Sequence, residues 1–119
     1  MGGGLEAARD SARVEGARRD VLPLRRVLLD VDKPIREPSL FSLIEVLGGV
    51  SGVEAVNVTV EEMDVDVMGL LVVVEGDGFS FAAVEEALDR VGAVIHSVDQ
   101  IIAGDRVVEM PNTRVGRAT

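Results

Sequence analysis

Apolar residues recur with two different spacings along the chain, and the spacing predicts which segments are strands and which are helices. In residues 26–32 every second residue is apolar, as expected for a strand with one buried face. In residues 40–47 apolar residues recur three and four positions apart, as they do on one face of a helix. The whole pattern predicts the order strand, helix, strand, strand, helix, strand, over residues 21–32, 40–47, 53–63, 67–75, 79–91 and 92–104.

Proline, serine and glycine mark the ends of these segments. Pro34 and Pro38 lack backbone donors and restrict the residues before them, so they are predicted to end the first strand. Ser39 is then placed to cap the first helix. Glycines lie at the later breaks and match no phosphate-binding pattern, so they are interpreted as helix stops and turns: Gly48, Gly49, Gly76, Gly78 and Gly92.

The two halves of the chain match each other, which predicts the fold class. Phe41 aligns with Phe81 and Gly52 aligns with Gly92, an offset of 81 − 41 = 40 residues in both pairs. A repeated strand–helix–strand unit is typical of an α+β, ferredoxin-like βαββαβ sandwich. We therefore expect a four-stranded antiparallel sheet of order 4-1-3-2, with two helices on one face.

Composition and charge limit the organisation and the partners. With 119 residues the chain is expected to form one domain over residues 21–109, with flexible tails at 1–20 and 110–119. The absence of cysteine excludes disulfides and thiolate metal sites. A formal charge of −9 argues against nucleic acid as a partner. Neither a membrane span nor a secretory signal is recognisable, so a cytoplasmic location is expected.

The predicted fold places several polar residues on the sheet face that the helices leave open. The first and fourth strands are neighbours in the expected order, so Asp30 should approach Ser97 and Asp99. His96 should point the other way, toward the helices. The full set expected on the open face is Asp30, Asp32, Asn57, Thr59, Ser97 and Asp99.

Several short motifs together resemble a known family. They are Arg25-Arg26-Val27-Leu28-Leu29-Asp30-Val31 followed by Lys33-Pro34, Gly52-Val53 with Val56-Asn57-Val58, Glu62-x-Asp64, Glu75-Gly76, and Ile95-His96-Ser97-Val98-Asp99 with Gly104. From about residue 24 to residue 109 the chain resembles the archaeal domain-of-unknown-function family 211. The resemblance implies a ferredoxin-like domain that assembles into a ring-like homo-oligomer and can hold a divalent cation such as calcium. It implies no established activity.

Two groups of oxygen-bearing side chains are candidates for such a cation. Calcium takes six to eight oxygen ligands from carboxylates, amides, carbonyls and water, and neither group matches a dedicated calcium loop. For each group the alternative is a solvated acidic surface. The candidates are Asp30, Asn57, Ser97 and Asp99 on the sheet face, and Glu62, Asp64 and Asp66 at the hairpin.

His96 is the one histidine of the chain and lies in an apolar strand. It is interpreted as a core or interface histidine that is hydrogen-bonded to a neighbour, and a ligand or general-base role is the alternative. A regular strand would place His96 and Asp99 on opposite faces. A transition-metal site would require further histidine or cysteine residues, and the chain has none.

These observations lead to three hypotheses about function. The first is a non-enzymatic, ring-forming module that binds a small ligand or a cation in a regulatory role. The second is a structural or scaffolding assembly in which ions only bridge subunits. The third, ranked last, is an enzyme that acts at subunit interfaces through His96 and Asp99.

Overall fold

The computed structural model describes residues 21–111, which form four strands and two helices in the predicted order. Residues 1–20 and 112–119, which include the predicted N-terminal tail and most of the predicted C-terminal tail, lie outside the described residues. The elements are β1 (Leu24–Pro34), α1 (Leu40–Gly48), β2 (Val53–Met63), β3 (Val67–Gly76), α2 (Phe81–Arg90) and β4 (Val94–Ala103).

The four strands form one antiparallel sheet in the order β2-β3-β1-β4. The α+β class and the antiparallel sheet expected from the sequence are therefore confirmed. Counted from the β4 edge, the observed strand order is β4-β1-β3-β2, which is compatible with the expected order 4-1-3-2. Strands β1 and β3 are bonded on both sides, whereas β2 and β4 are the two edges of the sheet.

One hydrophobic core lies between the sheet and both helices. Alternate residues of β1 and β3 are buried, which in β1 confirms the alternation predicted from the sequence. Helix α1 lies against β2 and α2, and α2 also contacts β4, so the helices cover the same face from one edge to the other. The cluster includes Val27, Leu29 and Val31 of β1, Leu70, Val72 and Val74 of β3, Leu43 and Leu47 of α1, and Val84, Ala87 and Leu88 of α2.

Both helices begin at a serine cap. The Oγ of Ser39 accepts a hydrogen bond from the backbone N–H of Ser42, which confirms the predicted start of α1. Ser80 accepts from Ala83 in the same way, so α2 begins at Phe81 and not at Phe79 as predicted. Phe79 is buried in the core instead. No helix within residues 21–111 has the length and apolar character needed to cross a membrane.

Strand β1 continues through Pro34, so the prediction that it ends at Asp32 is wrong. Lys33 lies on the core side of this extra length and is fully buried. Its ammonium group donates to the carbonyl oxygens of Pro34 at 2.9 Å and Arg36 at 3.2 Å. A buried ammonium group is costly unless such hydrogen bonds are made. Lys33 therefore fastens the end of β1 to the loop that leads into α1.

Strand β4 departs from regular pairing in the segment that carries its polar residues. Leu28 and Leu29 of β1 pair with Gln100 and Val98, and Asp99 is left between them. A second register shift leaves His96 between Ser97 and Ile95. Each bulge inserts an unpaired residue and re-aims the side chains around it. The faces of β4 therefore do not follow simple alternation.

The different burial of the two faces of β1 leads to a testable prediction about the free energy of unfolding. Leu29 has no exposed surface, whereas its neighbour Leu28 is half-buried on the open face. Leu29→Ala is expected to lower the free energy of unfolding by about 2–5 kcal/mol, because it leaves a cavity in the core. The matched variant Leu28→Ala should cost less than about 2 kcal/mol. Urea denaturation followed by circular dichroism measures both, and equal losses would contradict the two-faced description of β1.

Candidate functional site

The open face of the sheet brings together three of the four candidate cation ligands predicted there. Asp30 of β1 pairs directly with Ser97 of β4. The hydroxyl of Ser97 donates to Oδ1 of Asp99 at 2.8 Å. The bulge at Asp99 allows these two residues, two positions apart, to hydrogen-bond side by side. The sheet face therefore presents two carboxylates on either side of one hydroxyl.

Asn57 is not part of this group. It lies on the edge strand β2, where it pairs with Val73, and Val73 pairs in turn with Leu28 of β1. Two strand spacings of about 4.8 Å therefore separate Asn57 from β1, and a third separates it from Ser97 on β4. The amide oxygen of Asn57 instead accepts a hydrogen bond from the hydroxyl of Thr59 at 2.7 Å.

The group formed by Asp30, Ser97 and Asp99 supplies only part of a calcium shell. Calcium requires six to eight oxygens, so the remainder would come from water or from a second subunit. Within residues 21–111 no set of three or more histidine, aspartate or glutamate side chains is arranged to hold a metal ion. The chemistry that this face offers is a partial, all-oxygen cation shell.

The acidic residues of the hairpin have mainly local contacts. Glu62 pairs with Gly69 at the end of β2. The carboxylate of Asp64 accepts from the backbone N–H of Val65 at 2.8 Å, and the backbone carbonyl of Asp66 accepts from Ile35 at 2.9 Å. All three acidic residues are exposed. Their observed hydrogen bonds shape the turn and dock it against the residue that follows β1.

His96 is exposed and does not point into the space beneath the helices, as the sequence alternation had suggested. The register shift between Asp30 and Val31 places it in a bulge on the β4 edge. The interpretation as a core histidine is therefore wrong. A role at an interface between subunits stays a prediction.

The open face also carries a cluster of one arginine and two glutamates, Arg26, Glu75 and Glu109, that the sequence did not predict. The Nε of Arg26 donates to Glu75 of β3 at 2.7 Å. Its two terminal nitrogens donate to the two carboxylate oxygens of Glu109, both at 3.0 Å. The hydrogen bonds that Arg26 donates to Glu109, followed by the one that it donates to Glu75, raise the pKa of its guanidinium above the ordinary value. No local pattern predicts this cluster, since its members are 49 and 83 positions apart.

A groove of about 530 Å³ lies on the open face next to Arg26. It runs across four strands, because its lining comes from β1, β2, β3 and β4. Four apolar and four polar or charged residues line it. The lining residues are Arg26, Leu28, Ala55, Val56, Asn57, Val73, Glu75 and Gln100.

A second groove, of about 300 Å³, lies between β4 and α2 at one flank of the molecule. All the residues that line it are apolar, and Ile101 at its edge is 64% exposed. The lining residues are Leu24, Val27, Phe81, Val98 and Ile101. We call this feature the flank groove.

The opposite flank carries an exposed aromatic ring. Phe41 in the first turn of α1 is 78% exposed, and Ile44 beside it on the same helix is also exposed. Helix α1 lies over β2, whereas the flank groove lies at β4, and these strands are the two edges of the sheet. An apolar projection and an apolar groove therefore lie on opposite sides of one molecule.

Comparison with known proteins identifies the family. The model of domain-of-unknown-function family 211, described as "Uncharacterized ArCR", matches residues 25–117. The chain belongs to family 211. An uncharacterised archaeal relative, "Uncharacterized protein MJ0319" of Methanocaldococcus jannaschii, is 33% identical over 90 residues, which cover 76% of this chain and 92% of the relative. The family 211 match continues past β4 and includes the segment that carries Glu109.

Proposed function

We propose that this member of family 211 is a ferredoxin-like, non-enzymatic module that assembles into a ring-like homo-oligomer and binds a small ligand or a cation in a regulatory role. One observation carries the assembly: the exposed Phe41 on one flank and the apolar flank groove on the other. Both features are apolar, and they lie on opposite edges of the sheet.

The hydrophobic effect supplies the driving force for this contact. Burying one large apolar side chain such as Phe41 yields about 1.5–3 kcal/mol. The groove removes further apolar surface from water, since Val98 and Ile101 are exposed in the single chain. Its position at the edge strand β4 also matters, because an uncovered edge with apolar side chains invites association with another chain. A second copy of the chain would cover both features at once.

The placement of the two features favours a ring over a symmetric pair. A two-fold dimer uses the same patch on both subunits, whereas contact between two different patches joins subunits head to tail. Phe41 and the flank groove are different patches on opposite edges of the sheet. Head-to-tail contacts close into a ring when the rotation between neighbours allows it.

Replacing the projecting ring tests this assembly. In the full chain, Phe41→Ser removes the group that would enter the neighbour's groove, so native mass spectrometry should change from a discrete oligomer to a monomer. The fold should be unaffected, because Phe41 is mostly exposed.

Val65→Ser is the matched control for this substitution, since Val65 is 83% exposed but lies on the hairpin and not on α1, and it does not line the flank groove. It should retain the mass of the wild-type oligomer. A monomeric wild type, or an unchanged mass for Phe41→Ser, would refute the proposed contact.

The proposed cation role rests on a separate observation, the adjacency of Asp30, Ser97 and Asp99. Two carboxylates and a hydroxyl give a cation only some of its ligands, so water or another subunit would provide the others. The alternative hypothesis differs only in purpose: in a scaffolding assembly the ion would hold subunits together and would have no regulatory role.

Asp99→Asn separates these two hypotheses. The substitution preserves the shape of the side chain but removes one charge, so calcium binding measured by native mass spectrometry should weaken at least several-fold. An unchanged oligomer with lost calcium favours a binding module, and a lost oligomer favours ions that bridge subunits. Asp89→Asn, an exposed position on α2, is the control. Stoichiometric calcium binding that Asp99→Asn leaves unchanged would exclude this site.

A further inference from the structure

The guanidinium of Arg26 already holds a carboxylate in the geometry that a bound acid would adopt. Each terminal nitrogen donates to one oxygen of Glu109, which is the bidentate pairing that makes arginine selective for carboxylates. Two further bonds hold the guanidinium: Nε donates to Glu75, and one terminal nitrogen also donates to the amide oxygen of Gln100 at 3.3 Å. Glu75 is directly opposite Arg26 in the β1–β3 pairing, so this carboxylate partner is part of the sheet.

Glu109 is the more exposed of the two carboxylate partners of Arg26 and lies outside the sheet. It follows β4 in a segment without helix or strand, and its side chain is 59% exposed. The bidentate geometry makes this pair stronger than an ordinary surface ion pair, but water still competes for the exposed carboxylate. Arg26 therefore has one carboxylate partner that belongs to the sheet and one that another carboxylate can replace.

The open-face groove begins at this arginine and has room for the rest of a small molecule. Its volume of about 530 Å³ lies within the range of small-molecule sites. Leu28 and Val73 pair across β1 and β3 and give it an apolar floor. Asn57 and Gln100 line its two sides, from β2 and β4. Their amide oxygens accept from Thr59 and Arg26, which leaves their N–H groups as the donors for a ligand. One charged anchor, an apolar floor and a few amides are the usual composition of a ligand site.

We propose that this groove binds a small monocarboxylic acid with an apolar body, whose carboxylate replaces Glu109 on Arg26 while the body lies over Leu28 and Val73. Exchange of one carboxylate for another leaves the local charge unchanged. A phosphate dianion would add negative charge beside Glu75, which like-charge repulsion disfavours. The C-terminal segment then acts as an internal competitor that the ligand releases.

The test uses 4-phenylbutyrate as the probe and its neutral amide as the comparison, with binding followed by ligand-observed NMR on the full chain. The acid should bind and the amide should bind much more weakly. Glu109→Gln removes the competing carboxylate, so affinity for the acid should rise about two- to five-fold, the effect of losing one exposed ion pair. Arg26→Gln should lower it about ten-fold or more, because the charged donor is gone.

Arg25→Gln is the matched control, because Arg25 pairs with Asp77 and does not line the groove. It should leave the affinity for 4-phenylbutyrate unchanged. Shifts of the side-chain amide signals of Asn57 and Gln100 should place the probe in the groove. Equal binding of the acid and the amide, no effect of Glu109→Gln, or no detectable binding to wild type and Glu109→Gln would each overturn the proposal.

The carboxylate site does not depend on the proposed assembly. Phe41 and the flank groove share no residue with the open-face groove. The monomer expected from Phe41→Ser should therefore bind 4-phenylbutyrate as the wild type does. If the assembly prediction fails, the failure appears only in the measured mass. If the carboxylate prediction fails, the failure appears only in the measured affinity for the probe.

Discussion

The two-sided hydrogen bonding of β1 is the constraint on which the other features depend. Because β3 and β4 both pair with β1, its register is fixed, and a slip of one residue would exchange its buried and open faces. On the buried side this register places Leu29 in the core and Lys33 beneath the loop to α1. On the other side it aligns Asp30 with Ser97 and Arg26 with Glu75. Both candidate binding sites on the open face follow from it.

The sequence predicts the features that depend on regular alternation, and it fails where regularity ends. Order of elements, sheet type, core residues and the cap at Ser39 all follow from local spacing. The prolines Pro34 and Pro38 predict that β1 ends before Lys33, yet the strand continues and buries this lysine. Lysine is rarely buried, and here the carbonyls of Pro34 and Arg36 make its burial tolerable. The exposed position of His96 depends on a bulge, which adds a residue to β4 without any composition that marks it.

The candidate sites also differ in how far the sequence predicts them: contacts set by strand pairing could be predicted, and contacts that depend on the path of the chain could not. Asp30, Ser97 and Asp99 could be grouped in advance, because neighbouring strands and short spacing bring them together. Arg26 and Glu109 could not, since they meet only through the path of the segment after β4. The proposed contact between Phe41 and the flank groove could not be predicted either, because the position of each feature depends on which edge of the sheet each helix covers.

The most direct test of head-to-tail assembly is to mix two variants that are each defective on a different flank. Phe41→Ser keeps the flank groove intact, and Ile101→Lys keeps Phe41 intact but places a charge at the groove edge. Native mass spectrometry should find each variant monomeric alone and a one-to-one heterodimer in the mixture, held by the single remaining contact. A mixture that stays monomeric, or an Ile101→Lys variant that assembles like the wild type, would contradict the account.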